Sequence, residues 1–202
     1  MSANVTAVRA HHDPEASGVH DQRALGFWLY LMSDAAIFAL LFMTYGIMVG
    51  NTAGGPSGKA LFNLNNAALE TALLLVSSTT FGFASLSSRA ANRPAVVGWL
   101  LVTFLLGGGF IFLEVREFLG MIAAGAGPDR SGFLSAFFTL VGTHGTHVSV
   151  GLIWILILGG QVLFKGLTVP VASRLFRLGL FWHFLDIAWV GIFSVVYLPG
   201  LL

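Results

Sequence analysis

The chain contains no cysteine. That absence removes disulfides, thiolate-bound metals, iron–sulfur ligation and thiol nucleophiles together. Charge is nearly as scarce: Asp, Glu, Lys and Arg make up 9% of the 202 residues, against roughly one-quarter in soluble globular chains. A net charge of +1 offers no basic field, so no nucleic-acid partner is expected. The dinucleotide-binding glycine motif, the Walker motif and the H-E-x-x-H motif are missing, as is a serine elbow with histidine and aspartate partners. The opening stretch, MSANVTAVRAHHDPEASGVHDQR, lacks the early apolar run of a secretory signal. Residues 1–24 are expected to form a flexible cytoplasmic tail. His11, His12 and His20 lie in it, where adventitious metal binding is open to them but such spacing in a floppy tail is weak evidence for a dedicated site.

What the sequence has in excess is apolar surface. Hydrophobic residues are 56% of the chain and the mean hydropathy is +0.84, the composition of a protein whose bulk faces lipid. About 20 apolar residues cross a bilayer as a helix. Five stretches qualify, at about Leu25–Val49, Ala67–Ser88, Ala95–Arg116, Phe133–Phe164 and Leu175–Leu198. The expected fold is therefore an all-α integral membrane protein, with residues 25–202 forming one five-helix transmembrane domain. Pro94 suits the start of the third span, while Pro199 and Gly200 stop the fifth. The fourth would be about 48 Å long, so it should tilt or protrude. Lys and Arg set the direction. Arg9, Arg23, Arg89, Arg93, Lys165, Arg174 and Arg177 fall on one side, against Lys59, Arg116 and Arg130 on the other. Seven against three puts the N-terminus inside and the C-terminus outside. Trp28, Trp99, Trp182 and Tyr197 lie toward span ends, as interfacial anchors do. The glycines of LLGGGFIF (Gly107–Gly109) and GLIWILILGG allow helices to approach closely.

Ionisable residues inside spans need a partner or a task. They are Asp34 in the first span, Glu70 in the second, Glu114 and Glu117 in the third, His144 and His147 in the fourth, and His183 and Asp186 in the fifth. At 1.5 Å per residue, Asp34 and Asp186 each stand roughly 14 Å above the inner ends of their spans. This predicts one polar layer of Asp34, His183 and Asp186. A second layer nearer the outer face would hold Glu70, Glu114, His144 and His147. An intramembrane hydrogen-bond network is the favoured reading of these residues. A metal bound by His144, His147 and a glutamate is disfavoured, because paired Glu-x-x-His motifs are missing. A proton path is the other alternative, with Asp34 its best starting point.

Three segments carry a family likeness: LETALLLVSSTTFGFA, GPDRSGFLSAFFTLVGTHGTHVSVGLIW and LFWHFLDIAWVGIFSVVYL. They resemble subunit III of the haem-copper oxidases, most closely the cytochrome bo-type ubiquinol oxidase branch, over nearly everything after residue 24. That branch has five spans, as a seven-helix cytochrome c oxidase subunit would without its first two. The resemblance implies an accessory, non-redox subunit in the bacterial inner membrane. It would stabilise the catalytic subunit I, bind phospholipid and support proton uptake during oxygen reduction. The haems and copper would sit in that partner subunit, alongside other oxidase subunits, with no catalytic, cofactor or metal site in this chain. Glu70, Glu117, His144, His147, His183 and Asp186 carry over as structural or lipid-contacting positions. One departure is Asn65, where the cytochrome c oxidase form has a carboxylate, which argues against a proton-antenna role for that helix. A stand-alone proton-coupled transporter is the alternative, although no inverted repeat is visible; a histidine-bound metalloenzyme is a third reading and lacks ligands.

Overall fold

The computed structural model describes the backbone of residues 14–201 and the side chains of 25–59 and 61–199. Helices account for the elements among the described residues, with no strand. They are α1 (Pro14–Met48), the short α2 (Gly58–Leu61), α3 (Leu64–Arg89), α4 (Arg93–Ala123), α5 (Gly132–Lys165) and α6 (Val169–Ile192). A π-helical turn, Phe193–Tyr197, and α7 (Leu198–Leu201) complete the order. Five segments are long and apolar enough to cross a membrane: Leu25–Met48, Leu64–Arg89, Arg93–Ala123, Gly132–Lys165 and Val169–Tyr197. These match the expected spans. The expected tail, with His11, His12 and His20, lies outside the described side chains, and α1 is drawn from Pro14.

Local chemistry explains the boundaries. Asn63, Asn92 and Ser131 cap α3, α4 and α5, each accepting a hydrogen bond from a first-turn backbone N–H, which satisfies donors that helix geometry leaves open. Pro94 and Pro170 stand in first turns, where the missing N–H costs nothing. Gly166, at φ 74°, ends α5 with the Arg93 guanidinium against it; a side chain there would be both strained and blocked. Two boundaries differ most from expectation. The fifth span begins at Val169, six residues before Leu175, with Pro170 in its first turn. The third span runs seven residues past Arg116, to Ala123. Arg116 is exposed, so its charge points away from the bundle, and the following EFLGMIA has no proline and a single glycine, too little to stop the helix.

α3, α4, α5 and α6 pack in a closed ring, each against the next, and α1 lies in the groove between α5 and α6. The interior is apolar and aromatic, with Phe81, Phe110, Phe137, Trp189 and Tyr197 fully buried. Leu40, Leu105, Leu156 and many similar side chains point outward, as lipid-facing surface requires. Close approach depends on two glycines. The Trp182 indole lies between Gly107 of α4 and Gly151 of α5, and a Cβ at either would fall 2.9 Å from its ring. Trp182 is 2% exposed and Tyr197 is 1% exposed. Both are core residues here and not the interfacial anchors that the expected spans suggested; with the span beginning at Val169, Trp182 also falls near its middle. Position along a helix does not tell which face a ring takes.

Candidate functional site

The polar residues of the spans fall into three groups, each built by different helices. The first joins α3, α4 and the π turn. Glu114 and Glu117, three apart, share one face of α4, and Glu70 of α3 joins them. Glu70 is 1% exposed and Glu114 4% exposed, and the three carboxyls interact electrostatically. The Glu114 carboxyl lies directly on the α5 backbone at Gly145, where an added Cβ would meet Oε1 at 2.5 Å. The Glu117 carboxyl faces the Tyr197 hydroxyl within hydrogen-bonding reach. Both Glu70 oxygens, Glu114 Oε2 and Glu117 Oε1 have no hydrogen-bond partner among the described residues.

The second group joins α1 and α5. His147 Nε2 stands 3.7 Å from Asp34 Oδ2, and the Tyr30 hydroxyl faces the same carboxyl. His147 Nδ1 is 2.8 Å from the Thr143 carbonyl oxygen. A carbonyl can only accept, so Nδ1 carries a proton and Nε2 is the atom turned to the carboxyl. His144 does not share this site. It is fully buried, edge-on to Phe110 at 5.8 Å and 5.3 Å from the Trp189 ring. Neither of its ring nitrogens has a partner among the described residues.

The third group joins α3 and α6. Ser78 Oγ is 2.7 Å from His183 Nδ1, and the Asp186 carboxyl also faces Ser78. Unlike the first two groups it opens outward, for His183 is exposed. One residue earlier on each helix, Trp182 Nε1 donates to Ser77 Oγ at 3.1 Å.

Two expected layers are thus regrouped. Glu70 and Glu114 do meet, with Glu117 added. Asp34 meets His147 and not His183 or Asp186, and His147 leaves the glutamates. Counting residues measures height along a span but not direction around it, and α1 lies against α5 on the side that His147 faces. His144 and His147 differ by about 60° in azimuth at 100° per residue. That is enough to send one ring inward and the other toward α1, with Phe38 packed against both. Among the described residues, no group of three or more histidine, aspartate or glutamate side chains is arranged to hold a metal ion.

Sequence reasoning passed over several polar contacts: Thr80 with Thr103 at 2.8 Å across α3 and α4, Trp189 Nε1 donating to Thr71 Oγ1, and the Ser77 bond. Hydroxyls on four successive residues, Ser77–Thr80, were the available signal. Such residues also hydrogen-bond their own helix, so the run alone did not single them out.

Comparison with known proteins adds what geometry cannot. The family model for cytochrome c oxidase subunit III matches residues 3–201. A cytochrome bo(3) ubiquinol oxidase subunit 3 from Pseudomonas aeruginosa is 52% identical, over 95% of this chain and 92% of its own length. A quinol oxidase subunit 3 from Bacillus subtilis is 43% identical, over 88% of this chain and 87% of its own. A cytochrome c oxidase subunit 3 from Bacillus sp. strain PS3 shows the same 43% identity, over 88% of this chain and 86% of its own.

Proposed function

Because the chain belongs to the cytochrome c oxidase subunit III family, we propose that it is the accessory, non-redox subunit of a proton-pumping bacterial ubiquinol oxidase. In this reading the haems and copper belong to the catalytic subunit I. The carrying observation is likeness over nearly the whole chain to subunits named for quinol oxidases. The residues agree with it: three histidines within the spans and no cysteine are too few donors for two haems and a copper centre.

The subunit stabilises its catalytic neighbour, binds phospholipid and supports proton uptake. A groove of about 310 Å³ between α4 and α5, lined by Val97, Leu100, Phe104, Ile155, Gly159 and Gly160, has the chemistry for an acyl chain. Its walls are apolar, and the two glycines leave width. Asp34 with His147, and the Glu70, Glu114 and Glu117 group, are inter-helix fasteners in this reading. The N-terminus lies on the cytoplasmic side of the inner membrane, the side with more Lys and Arg.

The test is to isolate the tagged chain from native membranes in mild detergent, then record an absorption spectrum and metal content. Co-purification with a larger haem- and copper-containing chain is expected, with the metal remaining on that chain after separation. A stable, colourless, solitary chain would overturn the reading, and proton transport in liposomes would then be the assay to run.

A further inference from the structure

His183 is the central residue of the span Val169–Tyr197, about 21 Å of helix from either end. At that depth an outward-facing ring nitrogen meets only hydrocarbon, where an unsatisfied polar group is costly. Yet His183 is exposed. Its Nδ1 is held by Ser78, itself near the middle of the span Leu64–Arg89, and Nε2 has no partner among the described residues. Other outward hydroxyls behave differently. Ser33, Thr44, Thr79, Thr139 and Thr146 each donate to the carbonyl four residues back, so they ask nothing of their surroundings.

We propose that the α3–α6 face around His183 is the docking surface for a membrane-spanning helix of another oxidase subunit, one that presents a hydrogen-bonding side chain to the His183 ring at mid-membrane depth. The requirement follows from what His183 leaves open. Ser78 takes up Nδ1, and Nε2, on the other edge of the ring, is left to hydrogen-bond outside the chain. Lipid tails have no polar group to offer it. The surface is also shaped for a helix: a groove of about 510 Å³ leads from His183 along Thr79, Phe83 and Leu86 to Arg89. The proposal rests on the chain being an oxidase subunit.

The experiment keeps the two ideas apart. A photoreactive benzoylphenylalanine replaces Phe83 or Ile187 on the proposed face, or Leu40 on α1 or Leu105 on α4, all exposed. The complex is irradiated in native membranes and purified through a tag on this chain. Crosslinks from positions 83 and 187 to one other membrane subunit, with little from 40 and 105, are expected. The crosslinked segment should carry a hydrogen-bonding side chain within a turn. H183A should lower the amount of that subunit recovered severalfold. Co-purification with crosslinks from 40 or 105 alone, with only lipid captured at 83 and 187, or with a second copy of this chain captured there, would overturn the docking face and leave the subunit reading intact. Failure to recover any larger chain from any variant would overturn both.

Discussion

Trp182 and His183 are consecutive on α6, and each hydrogen-bonds one of two consecutive serines on α3, Ser77 and Ser78. The similarity ends there. The indole is sealed between Gly107 and Gly151 with its N–H satisfied, whereas the imidazole stands at the surface with one nitrogen turned outward. A step of 100° around the helix separates a residue that holds this chain together from one that addresses something outside it. The physical distinction is satisfaction: the Trp182 bond closes its polar account inside the chain, and the His183 bond leaves half of it open.

The comparison can be broken most directly at Trp182. W182A should leave a large cavity between α4, α5 and α6 and cost about 3–5 kcal/mol, seen as a lower unfolding midpoint in a detergent titration. A loss under about 1 kcal/mol would show that the indole is not a structural keystone. G145A comes next. It pushes a methyl into the Glu114 carboxyl and should cost about 1–3 kcal/mol by the same titration. An unchanged midpoint would mean that the carboxyl can swing elsewhere. Phe fills only part of the indole's space and cannot bond Ser77, so W182F should cost about 1–2 kcal/mol. H183A is the sharpest comparison and the smallest effect. The separated chain should unfold within about 0.6 kcal/mol of the parent, while its retention in the complex falls. If H183A destabilised the separated chain as much as W182A, His183 would be a second structural residue and the contrast between the faces would disappear.

Legibility followed the physics of each feature. The five spans appeared because apolar length is a local property; the caps Asn63, Asn92 and Ser131 act just as locally, on backbone within two or three residues, and were passed over. Glu70 and Glu114 were expected together, and the structure puts them there with Glu117. The fate of the two histidines was not legible. His144 and His147 have the same spacing as ligands on one helix, yet Phe110 and Trp189 enclose the first while Asp34 meets the second. Trp182 was misplaced for a related reason, since its burial depends on glycines 75 and 31 residues away in the sequence.

By itself, the sequence determined that this is an all-helical membrane chain with five spans, that it has no thiol chemistry, and which family it resembles. Those follow from composition, from runs of apolar residues and from linear motifs, all of which survive without knowledge of any neighbour. Only the tertiary structure decided that Asp34 faces His147, that Glu114 rests on Gly145, and that His183 points away from the bundle. Each depends on the rotation of one helix about its axis relative to another. In lipid that rotation is chosen by close packing and hydrogen-bond satisfaction between helices, because hydrophobicity favours all lipid-facing rotations nearly equally.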